Sequence, residues 1–373
     1  MEQMSDNVFG TESNIKTLTE LIESMGFSFS GTDGVRYVEK YSDVKKETEA
    51  LYSGVGLRNI SHYGIIELRG KDVLDFLHRI STNNIKDLQK EGIADTIFTT
   101  DKGRIIDVVK VVNFGDYQLL FGSPHNKRKL KSWISKYIIA DDVQLIDANI
   151  KYNLLELSGP QAESFSTLLC GEMTEKVKPN SFKVISTEGM IFFFLKIQES
   201  EDGIKFWFLA DEYNSKKLLS YFLENKGVFD FNLVGEKAYE IYRIERGIPA
   251  APNELNDQFN PHEARLIHLV DFNKGCYIGQ EVIARLDTYD KVQKYLCGIK
   301  SVDTISGNKI YQLKQNSHDA GRITSVTYSE KMSSCIGLAY IRREYSQPGT
   351  KLIAEAEDGS TASVVVQDLP FKK

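Results

Sequence analysis

The octapeptide KGCYIGQE, Lys274 to Glu281, sets one cysteine between a lysine and a tyrosine, with glycines on both sides. Only the thiolate is nucleophilic, and a nearby ammonium favours it. Glycine-flanked turns expose what they carry, so Cys276 is expected to present a reactive thiol with Lys274 two residues away. The plainer alternative is a buried structural cysteine. The crowding of Lys274, Tyr277, Gln280 and Glu281 around the sulfur favours function, because a core segment is not built that way.

A second cluster is TTDKGRIIDVV, Thr99 to Val109, where Asp107 interrupts an apolar strand. Such an acid either lies on a solvated face or points into a cavity, where it can orient or deprotonate an amine; the solvated face is the plainer reading. The turn Thr99 to Arg104 is suited to bringing backbone close to a ligand. A third cluster, YEIYRIERGIPAAPNEL from Tyr239 to Leu255, offers Arg243 and Arg246 as carboxylate forks. Pairing with Glu240 or Glu245 in a structural salt bridge is the plainer reading for each arginine alone.

These clusters need a scaffold to converge. Segments ELRGKDVLDFLHRI from Glu67 and ELSGPQAESFSTLL from Glu156 align at a constant offset, pairing Leu68 with Leu157, Gly70 with Gly159 and Phe76 with Phe165. Each reads as a strand end, a glycine turn and an amphipathic helix: Val73, Phe76, Leu77 and Ile80 fall at i, i+3, i+4 and i+7, and Ala162, Phe165 and Leu169 trace the matching face. Strands are expected at Ile105 to Val112, Tyr117 to Phe121, Phe182 to Ser186, Met190 to Ile197 and Ile204 to Leu209, and a helix around Glu212 to Asn225. A helix with Leu130, Trp133, Ile134 and Tyr137 on one face carries Lys127, Arg128, Lys129 and Lys131 on the other, which reads as solvated. Strands followed by helices in each half give an α+β class. From about Tyr295 the pattern becomes short strands between glycine and proline turns, a small β-barrel or sandwich. The divisions expected are residues 1–44, an N-terminal extension with a helical pattern at Ile15, Leu18, Leu21 and Ile22; 45–150, a first α+β domain; 151–235, a second; 236–290, a ligand-facing segment packing with the first; and 291–373, the β-rich end.

The 373 residues suffice for two or three domains and a large core. A net charge of −6 disfavours non-specific nucleic-acid binding. Four cysteines, Cys170, Cys276, Cys297 and Cys335, are too few for a disulfide scaffold and are expected to be reduced. No zinc-type spacing occurs. The first residues lack the features of a signal or transit peptide, and the longest run of large apolar residues, Met190 to Leu195, is far short of a membrane span. A cytoplasmic protein without a membrane partner is expected.

Together these residues resemble the aminomethyltransferase (glycine-cleavage T-protein) superfamily, and within it the folate-binding YgfZ-type branch. The likeness runs from about Ser53 to Phe371 and is most specific at KGCYIGQE, where T-proteins proper have a cysteine-free segment. It is carried also by GVGLRNISHYGIIELRGKDVLDFLHRISTNNIKDL at the front, by YRIERGIP and FNPHEARLIHLVDFNKGCYIGQEVIAR in the middle, and by GLAYI, PGT and LPF at the end. The resemblance implies a three-domain α+β arrangement around a central folate cavity, with a duplicated α/β unit and a C-terminal β-barrel. It also implies tetrahydrofolate as cofactor and a role in assembling or maintaining iron–sulfur clusters in client enzymes, including tRNA-modifying ones, without direct nucleic-acid binding. Cys276 and Asp107 are then the candidate catalytic residues, and Lys274, Arg243, Glu245, Tyr277 and Gln280 the candidate folate contacts. The aminomethyl-transferring relatives have two consecutive aspartates where GRIIDVV has only Asp107, which speaks against aminomethyl transfer. Transfer of a one-carbon unit to tetrahydrofolate, and a non-catalytic partner-binding scaffold, are the alternative readings.

Overall fold

The computed structural model describes residues 16–31, 35–200, 203–301, 303–307 and 309–372. It divides into two compact units, the first made of the chain up to His62 with Ala148–Ala238, the second of Tyr63–Asp147 with Tyr239–Lys373.

In the first unit a sheet runs in the order Phe231–Leu233, Val55–Asn59, Asn153–Ser158, Gly203–Ala210, Met190–Ser200, Ser181–Thr187. Pairing is antiparallel except between Val55–Asn59 and Phe231–Leu233. Helices Ala162–Cys170 and Glu212–Glu224 bring Phe165, Leu218, Leu219 and Phe222 into one core with Phe192, Phe194, Phe206 and Phe208 of the sheet. The division expected at 45–150 is displaced here: Val55–Asn59 lies between Asn153–Ser158 and Phe231–Leu233, so residues 45–62 fold with the later segment. In the expected N-terminal extension, residues 1–15, including Ile15, and 32–34 lie outside the described residues. The remainder contributes helix Leu18–Ser24, whose Leu18 and Ile22 enter the core. Each such side chain stabilises by about 1.5–3 kcal/mol.

The second unit holds an antiparallel sheet in the order Ile93–Thr99, Ile105–Asn113, Gln118–Gly122, Gly64–Arg69, Gln144–Asp147. Helices Val73–Ile80 and Lys127–Ser135 supply Val73, Phe76, Leu77, Ile80, Leu130 and Ile134 to its core. A closed six-stranded barrel follows, Lys294–Ser301, Ser334–Arg342, His318–Ser329, Tyr311–Gln315, Lys351–Ala356 and Thr361–Gln367.

The two halves of the sequence repeat occupy corresponding places in the two sheets. Gly70 has φ 126° and a Cβ there would stand 1.9 Å from the Asp142 carbonyl oxygen; Gly159 has φ 109° and a Cβ would stand 2.4 Å from that of Gly54. Both turns therefore require glycine. The paired glutamates are also both buried, Glu67 against Arg69 at 2.5 Å and Glu156 against Arg58 at 2.9 Å. Among the described residues, no helix is long and apolar enough to cross a membrane.

Candidate functional site

All seven candidate residues lie in the second unit, but in two kinds of surroundings. The KGCYIGQE segment is a loop that enters helix Gln280–Thr288 through Gly279. Gly279 has φ 85°, and a Cβ would lie 2.5 Å from the Thr100 carbonyl oxygen and 3.0 Å from Gly103 Cα. The loop thus meets the turn Thr99 to Arg104 backbone to backbone, and the second glycine of the motif is needed for that approach. Thr99 Oγ1 donates to the Ile278 carbonyl at 2.6 Å.

At its other end Lys274 Nζ donates to the Ser81 carbonyl at 2.5 Å and to that of His78. His78 Nε2 in turn donates to the Lys274 carbonyl at 2.9 Å. Both acceptors of the ammonium lie at the C-terminal end of helix Val73–Ile80, where unpaired carbonyls and the helix dipole attract a cation. Burial pulls the Lys274 amine down to about 8, opposed by Asp271. This corrects the expectation that Lys274 attends the sulfur: its hydrogen bonds are spent on helix carbonyls.

The loop so fixed holds three groups without a protein partner. Cys276 is exposed. Tyr277 is 7% exposed, packed with Val270 and Ile283, with the Lys274 ammonium 5.1 Å from its ring centre, and its hydroxyl has no hydrogen-bond partner. Burial pushes that phenol up to about 12, with Asp271 adding to the effect. A buried hydroxyl left so costs about 1–3 kcal/mol. Gln280 is half-buried; its backbone N–H donates to the Tyr277 carbonyl at 3.2 Å, while its side-chain amide makes no hydrogen bond among the described residues.

Asp107, Arg243 and Glu245 are placed differently. Asp107 is fully buried on Ile105–Asn113 and accepts from Ser123 Oγ at 2.7 Å, Ser123 N–H at 3.1 Å and Val108 N–H at 3.0 Å. It is not on a solvated face; it ties the turn that opens helix Lys127–Ser135. Burial raises its carboxyl to about 6 despite those hydrogen bonds.

Arg243 is buried and donates to Glu240 at 2.5 Å, Glu254 at 3.1 Å, the Ile248 carbonyl at 3.2 Å and Ser325 Oγ at 2.8 Å. Burial opposes its charge, but the Glu254 and Glu240 carboxylates more than offset this and hold the guanidinium above its usual value. Glu245 accepts from Ser329 Oγ at 2.5 Å, and its carbonyl accepts from Phe371 N–H at 2.9 Å. Both residues fasten helix Glu236–Arg246 to the barrel, so in this structure their groups are held by protein rather than offered to a ligand. The salt-bridge reading of Arg243 with Glu240 matches what is seen.

Sequence reasoning missed His78 and Thr99 as the loop's fastenings. The only signal was that both segments carry a glycine, Gly103 and Gly279, at their point of contact. The other three cysteines are buried: burial pushes the Cys170 thiol up to about 12 and raises that of Cys297.

Residues 18–274 match the family of the GCVT N-terminal domain, and residues 294–373 that of the glycine cleavage T-protein C-terminal barrel domain. A chloroplastic protein of Arabidopsis thaliana named "Putative transferase" is 30% identical, over 91% of this chain and 76% of its own length. An aminomethyltransferase of Desulfitobacterium hafniense is 26% identical, and one of Bacillus mycoides 27%, each over 90% of this chain and 91% of its own length. The crystal structure of glycine cleavage system aminomethyltransferase T from Bartonella henselae superposes with a TM-score of 0.82 at 19% identity, covering 95% of this chain and 96% of that one.

Proposed function

The chain belongs to the glycine-cleavage T-protein family, and from that premise we propose that it is a tetrahydrofolate-binding accessory protein of the YgfZ-type branch. Its role in this reading is to support assembly or maintenance of iron–sulfur clusters in client enzymes, tRNA-modifying ones among them. The observation that carries the proposal is the KGCYIGQE loop: it is fastened at both ends, yet leaves the Cys276 thiol, the Tyr277 hydroxyl and the Gln280 amide unpartnered. A pterin edge needs such polar anchors beside an aromatic wall. Tyr277 and Gln280 are assigned to the folate, and Cys276 to the step that serves the client. Lys274, Asp107, Arg243 and Glu245 become positioning residues, because each is already bound to backbone or side chains of this chain.

Titration of the reduced protein with tetrahydrofolate tests the first half. Saturable binding by wild type and by Cys276→Ser, weakened about tenfold in Tyr277→Phe by loss of one hydrogen bond to a polar ligand, is expected. Absence of binding by wild type removes the folate assignment. In cells dependent on this chain, Cys276→Ser is expected to lose the activity of cluster-containing enzymes while remaining folded; retained activity sinks the thiol's role.

A second reading, transfer of a one-carbon unit from an amine donor to tetrahydrofolate, is favoured by the relatives named aminomethyltransferase and by a carboxyl raised to about 6, within the working range of a general base. Formation of methylene-tetrahydrofolate from a donor, abolished in Asp107→Asn, supports it. No turnover across a panel of amines counts against it.

A further inference from the structure

Within the second unit, the turn carrying Arg104 and the barrel strands Lys294–Ser301, His318–Ser329 and Ser334–Arg342 wall a cavity of about 400 Å³. Four cations line it, Arg104, Lys294, Arg322 and Arg342, against two carboxylates, Glu263 and Asp319. The carboxylates are taken: Glu263 pairs with Arg104 at 3.1 Å and Asp319 with Arg342 at 2.6 Å. Lys294 and Arg322 have no ion pair among the described residues.

These two cations are not waving in solvent. Lys294 Nζ lies 4.5 Å and the Arg322 guanidinium carbon 4.8 Å from the centre of the Phe259 ring. That ring is stacked at 3.4 Å on Tyr340, and both rings are 1% exposed. The aromatic floor is fixed further by the Tyr340 hydroxyl, which donates to the Glu254 carbonyl at 2.9 Å. Burial lowers the Lys294 amine; Glu263 opposes this, while Arg104, Arg322 and Arg342 add to it. Like charges gathered in a recess focus a positive potential, and a bound anion relieves their repulsion.

We propose that this cavity is a binding site for a small ligand bearing two oxyanion groups, phosphate or carboxylate, held by Lys294 and Arg322 over the Phe259–Tyr340 stack. The four cations exceed the two carboxylates by two charges, which matches two anionic groups, and the volume suits a small molecule. The inference is independent of the folate reading, since it uses none of the KGCYIGQE residues.

The test is calorimetric titration of the full chain at low salt with two probes, inorganic pyrophosphate and γ-glutamylglutamate. Saturable binding of at least one probe is expected, weakening as salt is raised. The tighter probe identifies the source as phosphate or carboxylate. Lys294→Gln and Arg322→Gln are each expected to weaken it about tenfold, the value of one charge-assisted hydrogen bond. Arg128→Gln, on the exposed side of helix Lys127–Ser135, is expected to leave it unchanged. The two cavity variants remove like-charge repulsion and are expected to melt no lower than wild type, which separates lost binding from lost fold. No saturable binding of either probe by wild type overturns the proposal, as does undiminished binding by the double variant.

Discussion

The KGCYIGQE loop and the Arg243 cluster are both dense in chemistry-bearing residues, yet they are built on opposite plans. Around Arg243 the guanidinium donates to Glu240, Glu254, the Ile248 carbonyl and Ser325, and Glu254 also takes Ser325 Oγ at 2.7 Å and Ala250 N–H at 3.1 Å. In the loop, the fastening is done by Lys274 and Thr99, while the Tyr277 hydroxyl is buried without a partner. The comparison teaches that residue type marks a motif, but saturation decides its use. A filled network stabilises, whereas a buried group left open is retained at a cost in stability.

Substitutions can break this contrast, and the largest effect is expected at Arg243. Arg243→Ala leaves Glu254 buried and uncompensated, and should lower unfolding free energy by about 3–5 kcal/mol in urea titrations. A loss under about 1 kcal/mol would place Arg243 with ordinary surface ion pairs.

Next is a pH effect at Asp107. Its carboxyl is raised to about 6 in the folded protein, so the folded state binds the proton more tightly than the unfolded state does. Its contribution is present below the unfolded value of about 4 and is lost as pH rises through about 6, by up to about 3 kcal/mol. Urea midpoints of wild type should therefore fall between about pH 4 and 6.5 more steeply than those of Asp107→Asn; parallel curves would remove the burial argument.

Lys274→Met removes the cation from the end of helix Val73–Ile80 and should cost about 1–2 kcal/mol. Faster hydrogen exchange at the Asp271 amide, which donates to the Thr82 carbonyl at 3.0 Å, would report the loosened loop.

The smallest effect sharpens the comparison most. Tyr277→Phe deletes an unpartnered hydroxyl and should leave stability unchanged or raise it by about 1 kcal/mol. A clear loss in melting temperature would show that the hydroxyl is already satisfied in solution.

Much of the fold was legible because it is written in local periodicity. Strand Ile105–Asn113 follows from a short run rich in isoleucine and valine and helix Val73–Ile80 from a one-faced apolar stripe, and both repeat glycines follow from turns that admit no Cβ. What escaped depends on partners far along the chain. Val55–Asn59 carries no mark of the sheet it joins, since its partners are Asn153–Ser158 and Phe231–Leu233. The same holds for the site. Cys276 was readable as exposed from its flanking glycines, but Lys274 was assigned to the sulfur because its true acceptors, His78 and Ser81, lie nearly two hundred residues earlier. For Asp107 the choice between a solvated face and the interior stayed open, with the solvated face the plainer reading, because its fastening, Ser123, is contributed by a neighbouring turn.

The interleaved path of the chain has a consequence for its birth on the ribosome. Strand Val55–Asn59 is made early, but its neighbours are residues 153–158 and 231–233. At synthesis rates of about 5–20 residues per second it waits for several seconds with both edges open. The sheet from Gly64 to Asp147 has all five strands in hand before the first of those neighbours emerges. The unit that holds strand Val55–Asn59 is therefore the one whose sheet is finished second, and a chaperone that shields a newly made strand would find its client in residues 55–59.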